Sequence, residues 1–550
     1  MKHRVSGTVF EAFLRSVALY PDHDFLCVLP ETARAYDIQP RAFSYQQAGR
    51  QVADLAGRYR SAGLRHGHRV GLMLENKPAM FFHWLALNSL GVSVVPINSD
   101  WRAAELEYVI GHSEIAVAVV PVARQQDIKR AAAAAGREVV VTSELLPDLD
   151  SLAGAPLPGE SLPDERSECA LLYTSGTTGR PKGCVLTNEY YLWAGTWYSE
   201  LGGLCKLAEG AERLLTPLPM THMNAMAFST MVMMLTGGCI IAVDRFHPKT
   251  WWESVRGSRA TVVHYLGVMP AMLLGAEPSQ ADRDHSVRFG FGAGVSARLH
   301  APFEDRFGFP LVEAWAMTET GAGAVVIANH EPRKVGTACF GRPSARVEFR
   351  IVTEQGEDAS PGQHGELWVR SADATGRPDY GFFKEYLKDL MASREAWAGG
   401  YFHTGDIVFA DEEGDLHFVD RKKNVIRRSG ENISAVEVEG VILQHPKVAS
   451  VGVAAVPDEV RGDEVMACVV PRSSLTADEQ STLARELVDF CLQRLAYFKA
   501  PGFVAFCTQL PLTPTEKIQR AKLGELAREK MGGPGTIDLR EMKKRSPTAA

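Results

Sequence analysis

The chain has 550 residues, of which 45% are hydrophobic and 23% charged, the balance of a globular protein with several domains. This composition excludes a disordered tail protein, a collagen-like fibre and a coiled-coil rod. The chain has 59 basic and 66 acidic residues, so its net charge is −7. It lacks the surplus of basic residues that would indicate nucleic acid or an anionic membrane as a partner.

The nine cysteines are scattered and include no C-x-x-C pair. An odd number in a long chain argues against a disulfide framework and favours a reducing compartment. At the N-terminus, Glu11 and Arg15 interrupt the apolar stretch, which indicates an amphipathic helix and not a signal peptide. The longest apolar stretch, 225–243, contains Gly237 and Gly238 and predicts a buried helix followed by a strand. We therefore predict a cytoplasmic protein without a membrane span.

From residue 41 onward, helix-like and strand-like segments alternate along the chain. RAFSYQQAGRQVADLAGRYRSAGLRHG has apolar positions at helical spacing and predicts a helix that ends at Gly63 or Gly67. The run RVGLML predicts a strand, PAMFFHWLALNSLG a second helix and VSVVPIN a second strand. This order predicts stacked α/β units around largely parallel sheets.

The pattern changes at about residue 335. Short alternating runs between Gly, Pro and acidic turns predict an antiparallel, β-rich unit over about 335–420. From about 434 helices and strands alternate again. The predicted fold class is α/β plus β: a large body over 1–420 built of stacked α/β subdomains and the β-rich unit, then a small mobile α+β domain over 421–531 and a tail over 532–550.

A loop rich in glycine, hydroxyl and basic residues follows the apolar run ALLY, over residues 174–183. Such a loop can surround a polyphosphate, since glycines let backbone N–H groups approach and Lys182 supplies charge. The spacing does not fit G-x-x-x-x-G-K-[ST], because Gly183 stands where Ser or Thr is required. The alternative is a flexible surface turn.

The motif YTSGTTGRPKG (173–183) resembles the phosphate-binding signature of the adenylate-forming superfamily, which includes acyl-CoA synthetases, adenylation domains and luciferases. Further signatures follow in the same order: WAMTET (315–320), GELW (365–368), YFHTGD (401–406), DRKK (420–423), RRSGENISAVEVE (427–439) and PLTPTEKIQR (511–520). The resemblance spans about residues 30–530. The segments around Trp315 and Lys517 look most like the crotonobetaine/carnitine–CoA ligase branch.

The resemblance implies a two-step reaction with ATP, Mg²⁺ and coenzyme A. A carboxylate attacks the α-phosphate of ATP to give an acyl-adenylate and pyrophosphate, and a thiol then displaces AMP. The implied phosphate-binding residues are Thr174, Ser175, Gly176, Thr177, Thr178 and Lys182. Thr318 would contact the α-phosphate, and Glu319, with Thr174, would bind Mg²⁺, which prefers hard oxygen ligands. A lone Glu after Thr is more often a plain surface residue, and the preceding Trp-Ala-Met favours the functional interpretation of Glu319.

The same resemblance implies the nucleoside contacts. Trp315 takes the place of a tyrosine that stacks on adenine, and its alternative is a core aromatic residue. Gly292, Ala293 and Gly294 would let the backbone approach adenine and the acyl group. Asp406 would accept hydrogen bonds from the ribose hydroxyls, with Arg421 nearby.

The small domain would contribute a catalytic lysine and a hinge. Lys517 matches the lysine that supports adenylation, although Glu516 stands where the family usually has glycine. Lys423 matches the hinge position, and its alternative is a basic surface turn. The residues implied beside the pantetheine channel are Arg427, Gly430 and Glu431.

Substrate specificity is the least determined property. His222 matches a position that borders the acyl site and is named among the catalytic residues. The methionines from Met220 to Met234 fill either the core or the pocket. Trp193 and Trp197, four residues apart, pack in the core or face a cationic acid.

Three hypotheses follow. The first is an acid–CoA ligase, since the chain has one small domain after the body and no carrier domain. The second is an adenylation enzyme that loads a carrier protein. The third is a non-catalytic nucleotide-binding protein, against which Glu319, Asp406 and Lys517 argue together. The expected partners are a small carboxylic acid and coenzyme A, and the sequence leaves a homo-oligomer open.

Overall fold

A computed structural model describes most of the chain. The residues described are 6–146, 149, 162–174, 181–295, 297–353, 355–421, 426–429, 431–433, 435–511, 518, 520–533 and 535–543. Within them, no helix is long and apolar enough to cross a membrane, and no group of three His, Cys, Asp or Glu side chains is placed to hold a metal ion.

Helices and strands alternate through most of the chain. The helices are α1 (Val9–Leu19), α2 (Pro30–Tyr36), α3 (Tyr45–Ser61), α4 (Pro78–Asn88), α5 (Ala103–Ser113), α6 (Gln125–Ala134), α7 (Asn188–Ser199), α8 (Thr230–Thr236), α9 (Trp251–Ser258), α10 (Val268–Leu274), α11 (Ala297–Phe307), α12 (Leu390–Ala396), α13 (Ala435–Ile442), α14 (Ala477–Leu492) and α15 (Arg520–Lys530). A π-helical segment, Asn224–Ser229, runs directly into α8.

The strands are β1 (Asp24–Val28), β2 (Arg41–Ser44), β3 (Arg69–Leu72), β4 (Ser93–Pro96), β5 (Val117–Val119), β6 (Val140–Thr142), β7 (Glu168–Thr174), β8 (Lys182–Thr187), β9 (Arg213–Thr216), β10 (Cys239–Ala242), β11 (Val262–Leu266), β12 (Phe289–Ala293), β13 (Leu311–Trp315), β14 (Val326–Ile327), β15 (Cys339–Gly341), β16 (Val347–Val352), β17 (Gly365–Ser371), β18 (Glu385–Tyr386), β19 (Phe402–Ala410), β20 (Leu416–Arg421), β21 (Ile426–Arg428), β22 (Glu431–Ile433), β23 (Val448–Asp458), β24 (Gly462–Pro471), β25 (Phe503–Phe506) and β26 (Thr536–Asp538).

Two largely parallel sheets form the centre of the body. The first has the order β14-β13-β12-β11-β9-β10-β1-β2, and only its edge strands β14 and β2 are antiparallel to their neighbours. The second has the order β18-β8-β7-β4-β3-β5-β6, parallel from β7 to β6. Parallel strands that are buried on both faces are continuously apolar, as VVHYL of β11 is.

Helices packed between the two sheets form the largest core. The helices α4 and α7 are buried over nearly their whole circumference, because PAMFFHWLALN and NEYYLWAGTWYS carry almost no charged side chains. Apolar residues of both sheets join this core, among them Leu72 of β3 and Phe291 of β12. A helix on the outside of a sheet, such as α6, instead buries one stripe and exposes the rest.

The β-rich unit and the small domain follow in sequence. The third sheet, β15-β20-β19-β17-β16, is antiparallel throughout. The fourth sheet, β22-β21-β24-β25-β26 with β23 beside β24, lies after residue 425 and has its own cores. The predicted fold class, a large α/β body with a β-rich unit and a small α+β domain, is confirmed.

A buried charge cluster fastens the last described residues to the small domain. The ammonium of Lys543 contacts Glu464, and both side chains are fully buried. Arg428 donates from Nε to the second oxygen of Glu464 over 2.7 Å. Burial lowers the pKa of Lys543 to about 7. Since Arg428 immediately precedes the β21–β22 turn, this cluster fixes the turn end of that hairpin.

We expect Lys543→Met to stabilise the small domain most at neutral pH. The unfolded lysine keeps its proton up to about pH 10.4, whereas the folded one loses it near 7, so wild-type stability rises with pH in between. The advantage of the variant should therefore shrink by at most about 1.4 kcal/mol per pH unit from pH 7 to 9. Hydrogen exchange of the β24 amides measures this. Lys447 forms an exposed ion pair with Glu486, so the effect of Lys447→Met on stability should not change with pH over this range. Equal pH dependence in the two variants would contradict the lowered pKa of Lys543.

Candidate active site

The glycine-threonine loop joins two antiparallel neighbours. Thr174 ends β7, Lys182 begins β8, and the two residues lie opposite each other in register. The predicted phosphate-binding residues Ser175, Gly176, Thr177 and Thr178 lie outside the described residues. The chain thus leaves the sheet at Thr174 and re-enters it at Lys182, which brings both ends of the loop to one place.

A tyrosine connects Lys182 with Glu319. The Lys182 ammonium lies 4.6 Å from the ring centroid of Tyr386, and the Tyr386 hydroxyl donates to Glu319 Oε1 over 3.0 Å. Tyr386 occupies the short strand β18, which pairs with β8 opposite Cys184. Burial raises the pKa of Tyr386, and the nearby Glu319 carboxylate raises it further. The phenol therefore stays a donor and orients one oxygen of the carboxylate.

Thr174 and Glu319, the two predicted magnesium ligands, both lie near the side chain of Cys184. Thr174 Oγ1 lies 3.9 Å from Cys184 Sγ, and the Glu319 carboxylate helps to raise the pKa of that thiol after burial. Glu319 is buried, and its oxygen atoms are the hard donors that Mg²⁺ prefers. The donor chemistry therefore fits a magnesium ion bound together with phosphate.

Trp315 and Asp406 form a buried pair between two sheets. The indole Nε1–H of Trp315, at the end of β13, donates to Asp406 Oδ2 over 2.9 Å. Asp406 lies in β19, with its backbone opposite Arg421 of β20. Phe340 packs beside the indole with ring centroids 6.2 Å apart. The pair brings the predicted adenine and ribose contacts within one hydrogen bond of each other.

The glycines at the end of β12 are required for two reasons, close packing at Gly292 and a left-handed backbone at Gly294. A Cβ on Gly292 would lie 2.2 Å from the carbonyl oxygen of Tyr265. Gly294 has φ of +80°, and its N–H donates to Glu313 Oε2 over 2.9 Å. Glu313 also accepts from the Val295 N–H. The buried Glu313 thus holds the Ala293–Gly294 turn in place.

A pocket opens between the body and the small domain. Its lining combines Thr174, Thr221, His222 and Thr318 of the body with Glu431, Glu437, Phe498 and Lys499 of the small domain. His222 Nε2 lies 3.5 Å from Glu431 Oε2. Burial acts to lower the pKa of His222, but the Glu431 carboxylate outweighs burial and raises this pKa. The hairpin β21–β22 therefore presents a carboxylate to the predicted acyl-site histidine.

Lys499 bridges the two parts of the chain at the rim of this pocket. Its ammonium lies 2.6 Å from Glu105 Oε1 of α5 and 2.9 Å from Glu437 Oε1 of α13. Burial acts to lower the pKa of Lys499, yet the two carboxylates raise it overall, so the side chain stays charged. Trp101 packs against the core of the small domain and against Tyr173, the residue before Thr174.

The other predicted site residues are either outside the pocket lining or outside the described residues. Arg427 packs its guanidinium 4.7 Å from the ring centroid of Phe418, and its N–H donates to Asp463. Of Arg421 only the backbone is described. Lys423, Gly430 and Lys517 lie outside the described residues, so their roles stay predictions. Trp193 packs in the core, where its indole donates to the Ala322 carbonyl.

Among the described residues of the site, Tyr386, Glu437 and Lys499 make specific polar contacts and were not predicted from the sequence. Tyr386 comes from a two-residue strand without a recognisable pattern. Lys499 had a usable signal, because it is the one charge within the apolar run LAYFKAPGF and so required a partner. Its partner Glu105 lies 394 positions away, which no local pattern indicates.

Comparison with known proteins identifies the family of the chain. The AMP-binding enzyme family model matches residues 14–377, and the model of the AMP-binding enzyme C-terminal domain matches residues 437–517. The crotonobetaine/carnitine–CoA ligase of Salmonella arizonae is 31% identical over 499 residues, covering 88% of this chain and 93% of the relative. The ligase of the same name from Escherichia coli strain SE11 is 30% identical over 497 residues, with the same shares covered.

Solved structures share the fold. The o-succinylbenzoate CoA synthetase of Bacillus subtilis, bound to a product analogue, has a TM-score of 0.79 at 23% identity, covering 95% of this chain and 98% of its own. An amide bond synthetase of Marinactinospora thermotolerans has a TM-score of 0.77 at 23% identity, covering 94% and 99%. The predicted resemblance to the adenylate-forming superfamily is therefore confirmed, and the chain belongs to the AMP-binding enzyme family.

Proposed function

We propose that the protein joins a carboxylic acid to coenzyme A in two steps, with AMP and pyrophosphate as products. The acid carboxylate attacks the α-phosphorus of ATP and releases pyrophosphate, and the thiol then attacks the acyl carbonyl and releases AMP. Family membership confirms the predicted class of activity, an ATP-dependent acid–thiol ligase. The observation that carries the proposal is the connection Lys182–Tyr386–Glu319 beside the loop.

The first step brings an anion to a polyanion, so its barrier depends on charge compensation. Lys182 would bind the pyrophosphate part of ATP. Thr174 and Glu319 would hold Mg²⁺, which offsets phosphate charge when bound. The Tyr386 hydroxyl donates to Glu319 Oε1 and so fixes the orientation of the carboxylate that would bind the ion. Preorganised groups of this kind lower the barrier because they need not reorganise during reaction.

The nucleoside is proposed to lie between β13 and β19. Asp406 supplies a carboxylate for the ribose hydroxyls, and the Trp315 N–H fixes the orientation of that carboxylate. This hydrogen bond gives Trp315 a second role beside the predicted stacking on adenine. The two roles are compatible, because the N–H lies in the plane of the indole and its hydrogen bond does not use the ring face. The Ala293–Gly294 turn lets a planar base approach the backbone.

The second step is assigned to the pocket between the body and the small domain. His222 borders this pocket together with Thr318, so an acyl group bound there lies within reach of a thiol that enters between the domains. Coenzyme A is the proposed acceptor. A carrier protein remains the alternative, since one fold serves different acceptors, as the structural likeness to an amide bond synthetase illustrates.

The substrate is proposed to be a small acid of the betaine type. The names of the two ligases described above support this class. Of the two alternatives for Trp193, core packing is supported, because its side chain is buried and the Arg346 guanidinium lies 5.3 Å from its ring centroid. Trp197 packs against Phe228 with ring centroids 5.5 Å apart. Any cationic group of the substrate must therefore be recognised elsewhere.

The test is a panel of acids with ATP, Mg²⁺ and coenzyme A. The panel contains crotonobetaine and carnitine, uncharged aliphatic acids of matched length, and aromatic acids, and each is also run with an acyl carrier protein in place of coenzyme A. We expect AMP, pyrophosphate and an acyl-CoA, with crotonobetaine preferred over its uncharged analogue. ADP as the nucleotide product, or ATP binding without turnover of any acid, would refute the proposed reaction.

A further inference from the structure

The helix α5 carries three contacts on one face. Glu105 binds Lys499, the Tyr108 hydroxyl donates to the Pro181 carbonyl over 2.8 Å, and His112 Nδ1 lies 2.8 Å from the Tyr173 hydroxyl. Steps of three and four residues place these side chains along the same side of the helix. One helix face therefore touches the small domain and both ends of the glycine-threonine loop.

The Glu105–Lys499 contact is built as a docking contact. Lys499 is buried between one carboxylate of its own domain and one of the body, and all three side chains are at most 12% exposed. A buried ammonium between two carboxylates is stable only while both partners are in place, because separation leaves charges without compensation in a poorly solvated position. The ion pair therefore favours one orientation of the small domain over all others.

This orientation presents a particular side of the small domain to the body. Alternate residues of β24 face two different cores: Val465, Ala467 and Val469 join α13, while Met466 and Cys468 join α15. Glu437 lies on α13, whereas Ile518, the residue after Lys517, packs on the α15 side. The docked side is thus the one with α13 and with Glu431, opposite His222.

We propose that Glu105 and Lys499 are positioning residues for acyl transfer to the thiol. They hold the small domain where Glu431 faces His222 across the pocket, and they act on the second step and not on formation of the acyl-adenylate. Among the described contacts, Lys182, Glu319 and Trp315, which are assigned to that first step, touch neither member of the pair, while Thr174 and Thr318 line the same pocket as Lys499. The inference rests on the proposed function, since it assigns a role within its second step.

The test separates the two half-reactions in the Glu105→Gln variant. Adenylate formation is measured as ATP–pyrophosphate exchange with the best acid of the panel. Transfer is measured as thioester formation from the matching synthetic acyl-AMP and coenzyme A. We expect transfer to fall at least about tenfold in kcat/KM for coenzyme A, because a buried ion pair has lost one charge, and exchange to stay within about twofold. A residue with a merely structural role would lower both rates together.

Two further measurements keep the inference falsifiable. Glu486→Gln, which breaks the exposed Lys447–Glu486 pair within the small domain, should leave both rates unchanged. Lys499→Met and the double variant Glu105→Gln/Lys499→Met complete a cycle, in which the double variant should transfer no more slowly than Lys499→Met alone. The inference would be overturned if the losses of transfer rate in the two single variants multiplied in the double variant. A wild-type rate of transfer in Glu105→Gln would also overturn it. Absence of transfer in the wild-type enzyme would instead refute the proposed function.

Discussion

Replacing Glu319 by glutamine is expected to lower the rate of acyl-adenylate formation by about 10²–10³, the loss typical of a preorganised charge-stabilising group. The amide has nearly the shape of the carboxylate but no charge for Mg²⁺ and phosphate. Its oxygen can still accept the Tyr386 hydroxyl, so the fold around β18 should be kept. ATP–pyrophosphate exchange measured over a range of Mg²⁺ concentrations should show a higher requirement for the metal ion.

Glu385→Gln provides the matched control. Glu385 is the neighbour of Tyr386 in β18 and pairs with Val185, but it does not contact Glu319 or Lys182 among the described side-chain contacts. It should exchange pyrophosphate at the wild-type rate. If Glu319→Gln showed the same Mg²⁺ dependence and rate as wild type, Glu319 would not be a ligand of the metal ion.

Much of the fold could be predicted because its signals are local. The helix predicted to end at Gly63 or Gly67 is α3, which ends at Ser61 just before Gly63 with φ of +93°. The stretch 225–243 forms the predicted buried helix and strand, α8 and β10, with a π-helical segment before them. The hydrophobic period that defines a helix and the glycine that ends it both act over a few residues, so they can be recognised in the sequence alone.

Site residues could be predicted only where they belong to a recognisable sequence motif. Thr318, Glu319 and Asp406 were named from the family motifs, and those residues have buried or pocket-lining positions. Tyr386 and Lys499 belong to no such motif, and their partners are 67 and 394 positions distant. Contacts of this kind depend on how sheets and domains pack, which a pattern along one segment does not encode. The single charge in LAYFKAPGF indicated that a partner exists without identifying it.

Lys517→Ala is expected to have the opposite effect to Glu105→Gln. Lys517 lies outside the described residues, and its role comes from the family resemblance. A cation beside the attacking carboxylate and the α-phosphate offsets charge only while the adenylate forms, so exchange should fall by about 10²–10³. Transfer from synthetic acyl-AMP to coenzyme A should stay within a few-fold of wild type. Equal loss of both half-reactions would refute the assigned role.

Lys522→Ala is the control for Lys517→Ala, since Lys522 is an exposed lysine on α15 and should leave both half-reactions unchanged. The two expected patterns have one physical origin. Ile518, the residue that follows Lys517 in sequence, packs on the α15 side of the small domain, whereas Lys499, bound to Glu437, docks the α13 side on Glu105 of the body. A rigid domain cannot present both sides to one pocket at once. If Lys517→Ala slows only adenylation and Glu105→Gln slows only transfer, the two steps must use different orientations of the small domain, and the Glu105–Lys499 contact belongs to the second of them.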